Sequence, residues 1–366
     1  MIMLNLKKKI LSAVVAFGML TTFGNFSEVS AANVNDIRSI SIRSDGSNFQ
    51  YWNQNSKAFR ALKNYVEDVT NPNSSNYIPI RDRIVVTDMD GTFYSELAPT
   101  YGEWMLYFHR LFEDPTYTPT ETEKTFAEEC LAAAKAGSIS NTMDAGEDSA
   151  QSYAFEGMTL DEFDQYAENF LKTPLDGLSN ATFGDAFYLP MLEMYSYLES
   201  NGFTIYVVTG ADRQLSRNIV KNISAIDPAH VIGSDSMNVA RRQGFMDDYS
   251  FEPGDVIVRG KYMSTNGKMM KVSNISREIG KIPVLAFGNS GSDAAMLNYT
   301  LSNKKYKTLA FGVLCDDNSR DWGNVDKAAK FKTSCEKYNW ISISMRDDFK
   351  TIYGDDVRKT DQQFRK

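Results

Sequence analysis

Val85-Val86-Thr87-Asp88-Met89-Asp90-Gly91-Thr92 decides how the rest of this 366-residue chain is read. Residues 84–87 are a short β-branched run, of the kind that forms a strand buried on both faces. The run stops at Asp88. Two aspartates two apart at an extended end project to the same side, because side-chain direction alternates with period two. Gly91 and Thr92 allow a sharp exit from the strand. Carboxylates crowded in this way repel one another and any phosphate dianion. A hard cation with oxygen ligands resolves the conflict, and Mg²⁺ suits one or two carboxylates with phosphate oxygens and water.

Outward from this stretch, strand and helix signals alternate. Strands are predicted at 203–208, 229–233, 284–287 and 308–314, and helices at 212–223, 271–279 and 325–338. A hairpin is expected around 254–266. Ahead of the first strand, residues 56–69 carry apolar positions at helical spacing (Phe59, Leu62, Tyr65), and 71–76 is a loop by composition. Between 101 and 184 the pattern is helical and rich in aromatics, from Trp104 to Phe170. The alternation predicts an α/β fold, a Rossmann-like parallel sheet with helices on both faces. The long helical block is then a cap inserted after the first strand.

In an open parallel sheet, ligands bind beyond the carboxyl ends of the strands. Four segments bring polar groups to that rim: Asp88 and Asp90, then Thr209 and Gly210, then Lys271 at a helix start, then Asn289 and Asp293. In this order they resemble the four motifs of the haloacid dehalogenase-like superfamily of phosphohydrolases, over roughly residues 83–315. The cap between the first two motifs resembles the helical cap of the phosphoserine-phosphatase-like branch.

The resemblance implies a mechanism. Asp88 attacks phosphorus and forms an aspartyl phosphate, and Asp90 protonates the leaving alcohol and then activates water. Thr209 and the Gly210 amide hold the phosphoryl group, and Lys271 offsets its charge. Mg²⁺ is held by Asp88, the Asp90 carbonyl and Asn289, with Asp293 as a further ligand or fixing a metal-bound water. The substrate is a small phosphomonoester. Two features depart from the pattern or leave it open. Asn289 stands where many relatives have aspartate, and Lys268 and Lys271 both precede the helix. Lys271 is preferred because Val272 and Ile275 begin the apolar face directly after it. Glu96 and Glu103, just past the first motif, are candidates for meeting a cationic group on the substrate.

The same strand-end carboxylates allow a phosphotransferase or mutase, or an exported protein that binds phosphoesters without turning them over. A metal-free dehalogenase lacks the second aspartate that is present here as Asp90. The histidines, His109 and His230, give little to a Ser-His-Asp hydrolase. A cysteine phosphatase needs arginine six residues after its cysteine, and those positions are Ala136, Asp321 and Ile341.

Lys7-Lys8-Lys9, an apolar run over 10–23 and the ending Val29-Ser30-Ala31-Ala32 follow the order of a secretory signal peptide. The domain reading is therefore a leader at 1–31, a helical extension at 32–80, the α/β core at 81–99 and 185–350, the cap at 100–184, and a tail at 351–366. Loss of the leader removes three lysines and one glutamate, moving the net charge from −8 to −10. An acidic exported protein with no later membrane-spanning stretch is poorly suited to gripping nucleic acid or anionic membrane. Cys130, Cys315 and Cys335 allow at most one disulfide, and nothing in the sequence selects a pair. Oligomeric state is not encoded in any pattern here.

Overall fold

The computed structural model describes residues 34–243 and 250–366. The expected leader and its cleavage point lie outside them. Among the described residues nine strands form: β1 (Ile84–Thr87), β2 (Leu178–Ser179), β3 (Thr204–Asp212), β4 (Val231–Ala240), β5 (Ile257–Ser264), β6 (Leu285–Gly288), β7 (Leu309–Leu314), β8 (Ile341–Ser344) and β9 (Arg358–Lys359). Seven of them make one sheet in the order β5-β4-β3-β1-β6-β7-β8, and β2 pairs with β9 apart from it. Every neighbouring pair in the large sheet is parallel except β4 with β5. The predicted α/β architecture is therefore the one that forms.

Strand order reverses at β1. The chain steps from β1 outward through β3 and β4, then returns to β6 on the other flank and moves outward again. Beside such a reversal the connections leave in opposite directions and open a crevice at the carboxyl ends of the strands. Asp88 follows β1 directly.

Successive residues of the inner strands face opposite sides, and both sides are apolar. Val85, Val207, Leu285 and Phe287 join one core cluster with Phe59, Leu62 and Tyr65 of α2 (Lys57–Thr70) and Met191, Met194 and Tyr195 of α7 (Leu189–Ser200). Val86, Val208, Ala286 and Ala310 join a second cluster with Ile275 of α9 (Met269–Glu278), Met296 of α10 (Ala294–Leu301) and Phe331 of α11 (Val325–Tyr338). Burying one such side chain contributes roughly 1.5–3 kcal/mol. A strand apolar on both faces is thus held centrally, and its polar end is the only part that reaches the rim. The remaining helices of the core are α1 (Val34–Ser39), α8 (Arg213–Val220) and the four-residue α12 (Met345–Asp348).

The inserted block is four helices: α3 (Gly102–Phe112), α4 (Glu121–Ala136), α5 (Asn141–Ala154) and α6 (Leu160–Leu171). Thr120 with Glu123 and Thr159 with Glu162 form capping boxes that start α4 and α6, each satisfying otherwise orphaned amides. The hairpin differs from expectation. Its first arm is not within 254–266 but is the far half of β4, which leaves the parallel sheet and pairs with β5 from Asp235 to Ala240. The run Ser234-Asp235-Ser236-Met237-Asn238 lacks the apolar alternation that marks a strand, so only pairing reveals it. The cap is tied to this hairpin through the backbone: Gly157 donates to the Arg259 carbonyl (2.8 Å) and Arg259 to that of Met158 (2.7 Å). Residues 351–366 run back across the root of the cap, where Gln362 Nε2 donates to the Leu97 carbonyl (2.7 Å) and Phe364 stacks near Phe108. Cys130, Cys315 and Cys335 are buried free thiols. Among the described residues no helix is long and apolar enough to cross a membrane.

Candidate active site

The carboxyl ends of β1, β3 and β6 and the start of α9 enclose a cavity of about 300 Å³ under the cap. Asp88, Asp90, Thr209, Gly210, Lys271 and Asn289 line its floor and walls, so residues up to 201 positions apart in sequence meet there. Asp293 lies beneath, fully buried, and does not line the cavity.

The turn after β1 is fixed by its own backbone. The Met89 carbonyl accepts from the amides of Thr92, Phe93 and Tyr94 at 3.0–3.1 Å, and the Gly91 amide donates to the Tyr94 carbonyl at 2.7 Å. Gly91 has φ +73°, in the left-handed region, and a Cβ there would lie 1.9 Å from Asn289 Nδ2. Only glycine lets the first and last motif segments come this close.

Lys271 settles the choice between the two lysines. Its Nζ donates to Asp88 Oδ1 and to Asp293 Oδ1, both at 2.7 Å, with all three side chains buried. Lys268 sits at the N-cap of α9 on the cavity wall. What aims Lys271 is Asn266, whose Nδ2 donates to the carbonyls of Thr209 and Ile232, both at 2.9 Å. Its Oδ1 accepts from Asn274 Nδ2 at 2.9 Å. One amide side chain therefore ties β3 and the start of β4 to α9. Thr209 Oγ1 accepts from the Ala211 amide (3.1 Å), which leaves its proton for an oxygen in the cavity.

Negative charge is in excess on this floor. Burial pushes Asp88 up to about 6, and the Asp293 carboxylate adds to the effect against the pull of Lys271. Asp90 is held well above the ordinary carboxylate range, by burial first and then by Asp88 and Glu96. For Lys271 burial acts downward, but Asp293 and Asp88 outweigh it and hold the ammonium above its usual value. Acidic groups in excess of one ammonium are what a divalent cation offsets. The groups that would hold it are all oxygen: the Asp88 carboxylate, the Asp90 main-chain carbonyl and the Asn289 amide oxygen. They fit Mg²⁺ and not a soft metal. Asp293 is different. Its Oδ1 accepts from Lys271, and its Oδ2 from the amides of Asn289 (3.0 Å) and Ser290 (3.1 Å). Engaged from inside the fold and away from the cavity lining, it braces the lysine and the 289–293 loop.

The roof comes from the cap. Tyr101, Glu103 and Trp104 at the start of α3 and Asp148 on α5 line it, with Glu96 at the junction. Of these, sequence reasoning marked only Glu96 and Glu103. Glu103 Oε1 accepts from the Asp212 amide at 2.8 Å, and Asp212 pairs with Arg259 at 2.7 Å. Asp148, Trp104, Asn266 and Asn274 were missed. Asn266-Gly267 carries a turn signal, but nothing in it says that the asparagine bridges two strands. His109 bonds Tyr166 in the cap and His230 packs on Tyr206, and neither lines the cavity.

No family model matches the chain, and no curated protein matches it. Solved structures to which it is similar include a functionally unknown protein from Anaerococcus prevotii, 12% identical over 85% of this chain and 96% of that one, with a TM-score of 0.48. Cytosolic 5'-nucleotidase IIIB bound to cytidine is 13% identical over 80% and 86%, with a TM-score of 0.46. A phosphoserine phosphohydrolase-like protein from Francisella tularensis is 13% identical over 68% and 92%, with a TM-score of 0.38. At these identities and TM-scores the likeness supports no statement about chemistry, which rests on the residues in the cavity.

Proposed function

We propose that the chain is an exported, Mg²⁺-dependent phosphatase of the haloacid dehalogenase-like kind, hydrolysing a small phosphomonoester through an aspartyl phosphate on Asp88. The observation that carries this reading is Lys271 bridging Asp88 and Asp293 at 2.7 Å each, at the sheet's switch point, with Asp90 two residues on. The leader-like N-terminus supports export.

A carboxylate oxygen of Asp88 forms a bond to phosphorus as the bond to the leaving oxygen breaks. Lys271 keeps the Asp88 carboxylate oriented, and Thr209 Oγ1 and the Gly210 amide face the oxygens that gain charge. Asp90, which burial and its acidic neighbours push toward the protonated form, gives its proton to the leaving oxygen. It then takes a proton from a water whose oxygen attacks phosphorus. The bond from phosphorus to Asp88 breaks, and inorganic phosphate and a free carboxylate remain. Asp88, the Asp90 carbonyl and Asn289 would hold Mg²⁺, which would supply the positive charge that lets a phosphate dianion approach this acidic floor.

Phosphate release from 4-nitrophenyl phosphate, with Mg²⁺ and with EDTA, tests the reading on the full chain. Turnover is expected only with the metal, and Asp88→Asn is expected to lower it by about 10³-fold or more, the loss that follows removal of a nucleophile. Normal turnover by that variant overturns the mechanism. Tight binding of phosphoesters with no turnover under any divalent cation replaces it with a binding role.

A further inference from the structure

Asn289 carries its own orienting device, and that device explains how a neutral amide serves as a ligand there. Its Nδ2 donates to Glu96 Oε2 at 2.9 Å. The other oxygen of Glu96 accepts from Lys327 Nζ at 2.5 Å and from Tyr101 Oη at 2.9 Å. Glu96 is buried, and Lys327 comes from α11, on a different flank of the sheet. The contact exists only because Gly91 is glycine: an added Cβ would lie 2.5 Å from Glu96 Oε2 as well as 1.9 Å from Asn289 Nδ2. A carboxylate accepts and never donates, so it dictates which end of the amide turns toward it. With Nδ2 committed to Glu96, Oδ1 is the atom left for a cation.

We propose that Glu96, anchored by Lys327 and Tyr101, is a positioning residue that fixes the amide of Asn289 with its oxygen toward the cation site. The proposal rests on the reading of Asn289 as a cation ligand. It also assigns Glu96 a task other than meeting the substrate, because both of its oxygens are occupied by Asn289, Lys327 and Tyr101. Outer groups of this kind tune affinity as strongly as many direct ligands, by roughly 10–100-fold.

A reciprocal exchange tests it. Glu96→Gln presents an amide nitrogen to Asn289 Nδ2, two donors facing each other, and Asn289 relieves the clash by turning its nitrogen to the cation. Asn289→Asp sets two carboxylates against each other across the same contact. Combining the two substitutions restores a donor–acceptor pair with the direction reversed. The introduced glutamine amide then donates to the introduced carboxylate, whose second oxygen is left for the cation. Mn²⁺ titrations of the full chain, read by the electron paramagnetic resonance of the free ion, report affinity without turnover. Glu96→Gln is expected to bind Mn²⁺ about tenfold or more weaker, and the double variant to recover to within about threefold of the wild type. Lys327→Met, which leaves Asn289 and Glu96 in place, is expected to weaken binding by about threefold. Thermal unfolding in EDTA checks that each variant folds, and Lys327→Met keeps the test standing where Glu96→Gln does not fold. Unchanged affinity in Glu96→Gln, a double variant no tighter than Glu96→Gln, or unchanged affinity in Lys327→Met overturns the proposal. If the wild type binds no Mn²⁺, the proposed function falls with it; if the wild type binds and the variants follow suit, only the role of Glu96 falls.

Discussion

The floor of the cavity and its roof both crowd carboxylates together, but on different supports and with different outcomes. On the floor, Asp88, Asp90 and Asp293 stand on the ends of adjacent strands or on the turn that follows, and Lys271 is threaded between two of them at 2.7 Å. On the roof, Glu103, Glu147 and Asp148 stand on two helices of the cap, with carboxylate oxygens within 4.8 Å of one another. Burial, then Glu147 and Asp148, pushes Glu103 well above the ordinary range, toward its protonated form. Asp90 on the floor and Glu103 on the roof are both pushed up, but the floor also holds a fixed cation, Lys271, between two of its carboxylates. Fixed opposite charges organise a phosphate, whereas a protonated acid shapes a wall.

That contrast is open to attack. The largest effect belongs to the acid on the floor: Asp90→Asn is expected to lower kcat by about 10²–10⁴-fold with Mg²⁺ saturating, and stopped-flow phosphate release measures it. A rate within tenfold of wild type removes the acid–base role. Next is Lys271→Met, which leaves two buried carboxylates facing each other without their shared ammonium. Breaking a buried pair costs about 3–5 kcal/mol, and urea unfolding at pH 7.5 should show a loss in that range. The loss should shrink near pH 5, where Asp88 takes up a proton and the repulsion fades. An equal loss at both pH values would mean the lysine acts only as packing.

A smaller effect follows from Asp88 itself. Its carboxyl is pushed up to about 6 in the metal-free protein, so below that pH a cation must displace a proton to bind. Apparent Mn²⁺ affinity is therefore expected to be flat above pH 7 and to fall by up to about tenfold per unit below the Asp88 value. Affinity that stays level down to pH 5 contradicts the placement of the cation beside Asp88. The smallest effect is on the roof. Glutamine mimics a protonated glutamic acid and keeps the oxygen that accepts from the Asp212 amide. Glu103→Gln is thus expected to change stability by less than about 0.5 kcal/mol and kcat by less than about twofold, any change falling on KM. A kcat loss approaching that of Asp90→Asn would make the roof part of the chemistry and erase the distinction.

Much of the floor could be read from the sequence, because a buried strand and its exit are local events. A β-branched run, two aspartates at period two and a glycine at the turn are adjacent in the chain, and their physics depends little on what lies far away. The helix over 325–338 was legible for a similar reason: its apolar positions are periodic, and α11 spans the same residues. By contrast α7 was not foreseen. Its residues from Leu189 to Leu198 are all buried, so it shows no polar face and no helical period.

What the sequence by itself determined is the set of polar groups at the strand ends and the order in which they come. What only tertiary structure decided is which of them meet. Lys271 instead of Lys268 reaches Asp88 because Asn266 locks the start of α9 against β3 and β4. Asp293 turned inward as a brace because the 289–293 loop closes on its own carboxylate. Glu96 found Asn289, 193 residues away, through a gap that Gly91 leaves open. Local pattern fixes backbone direction within a few residues. The partner of a buried polar group is chosen by the whole packed sheet, where every donor and acceptor must be satisfied at once.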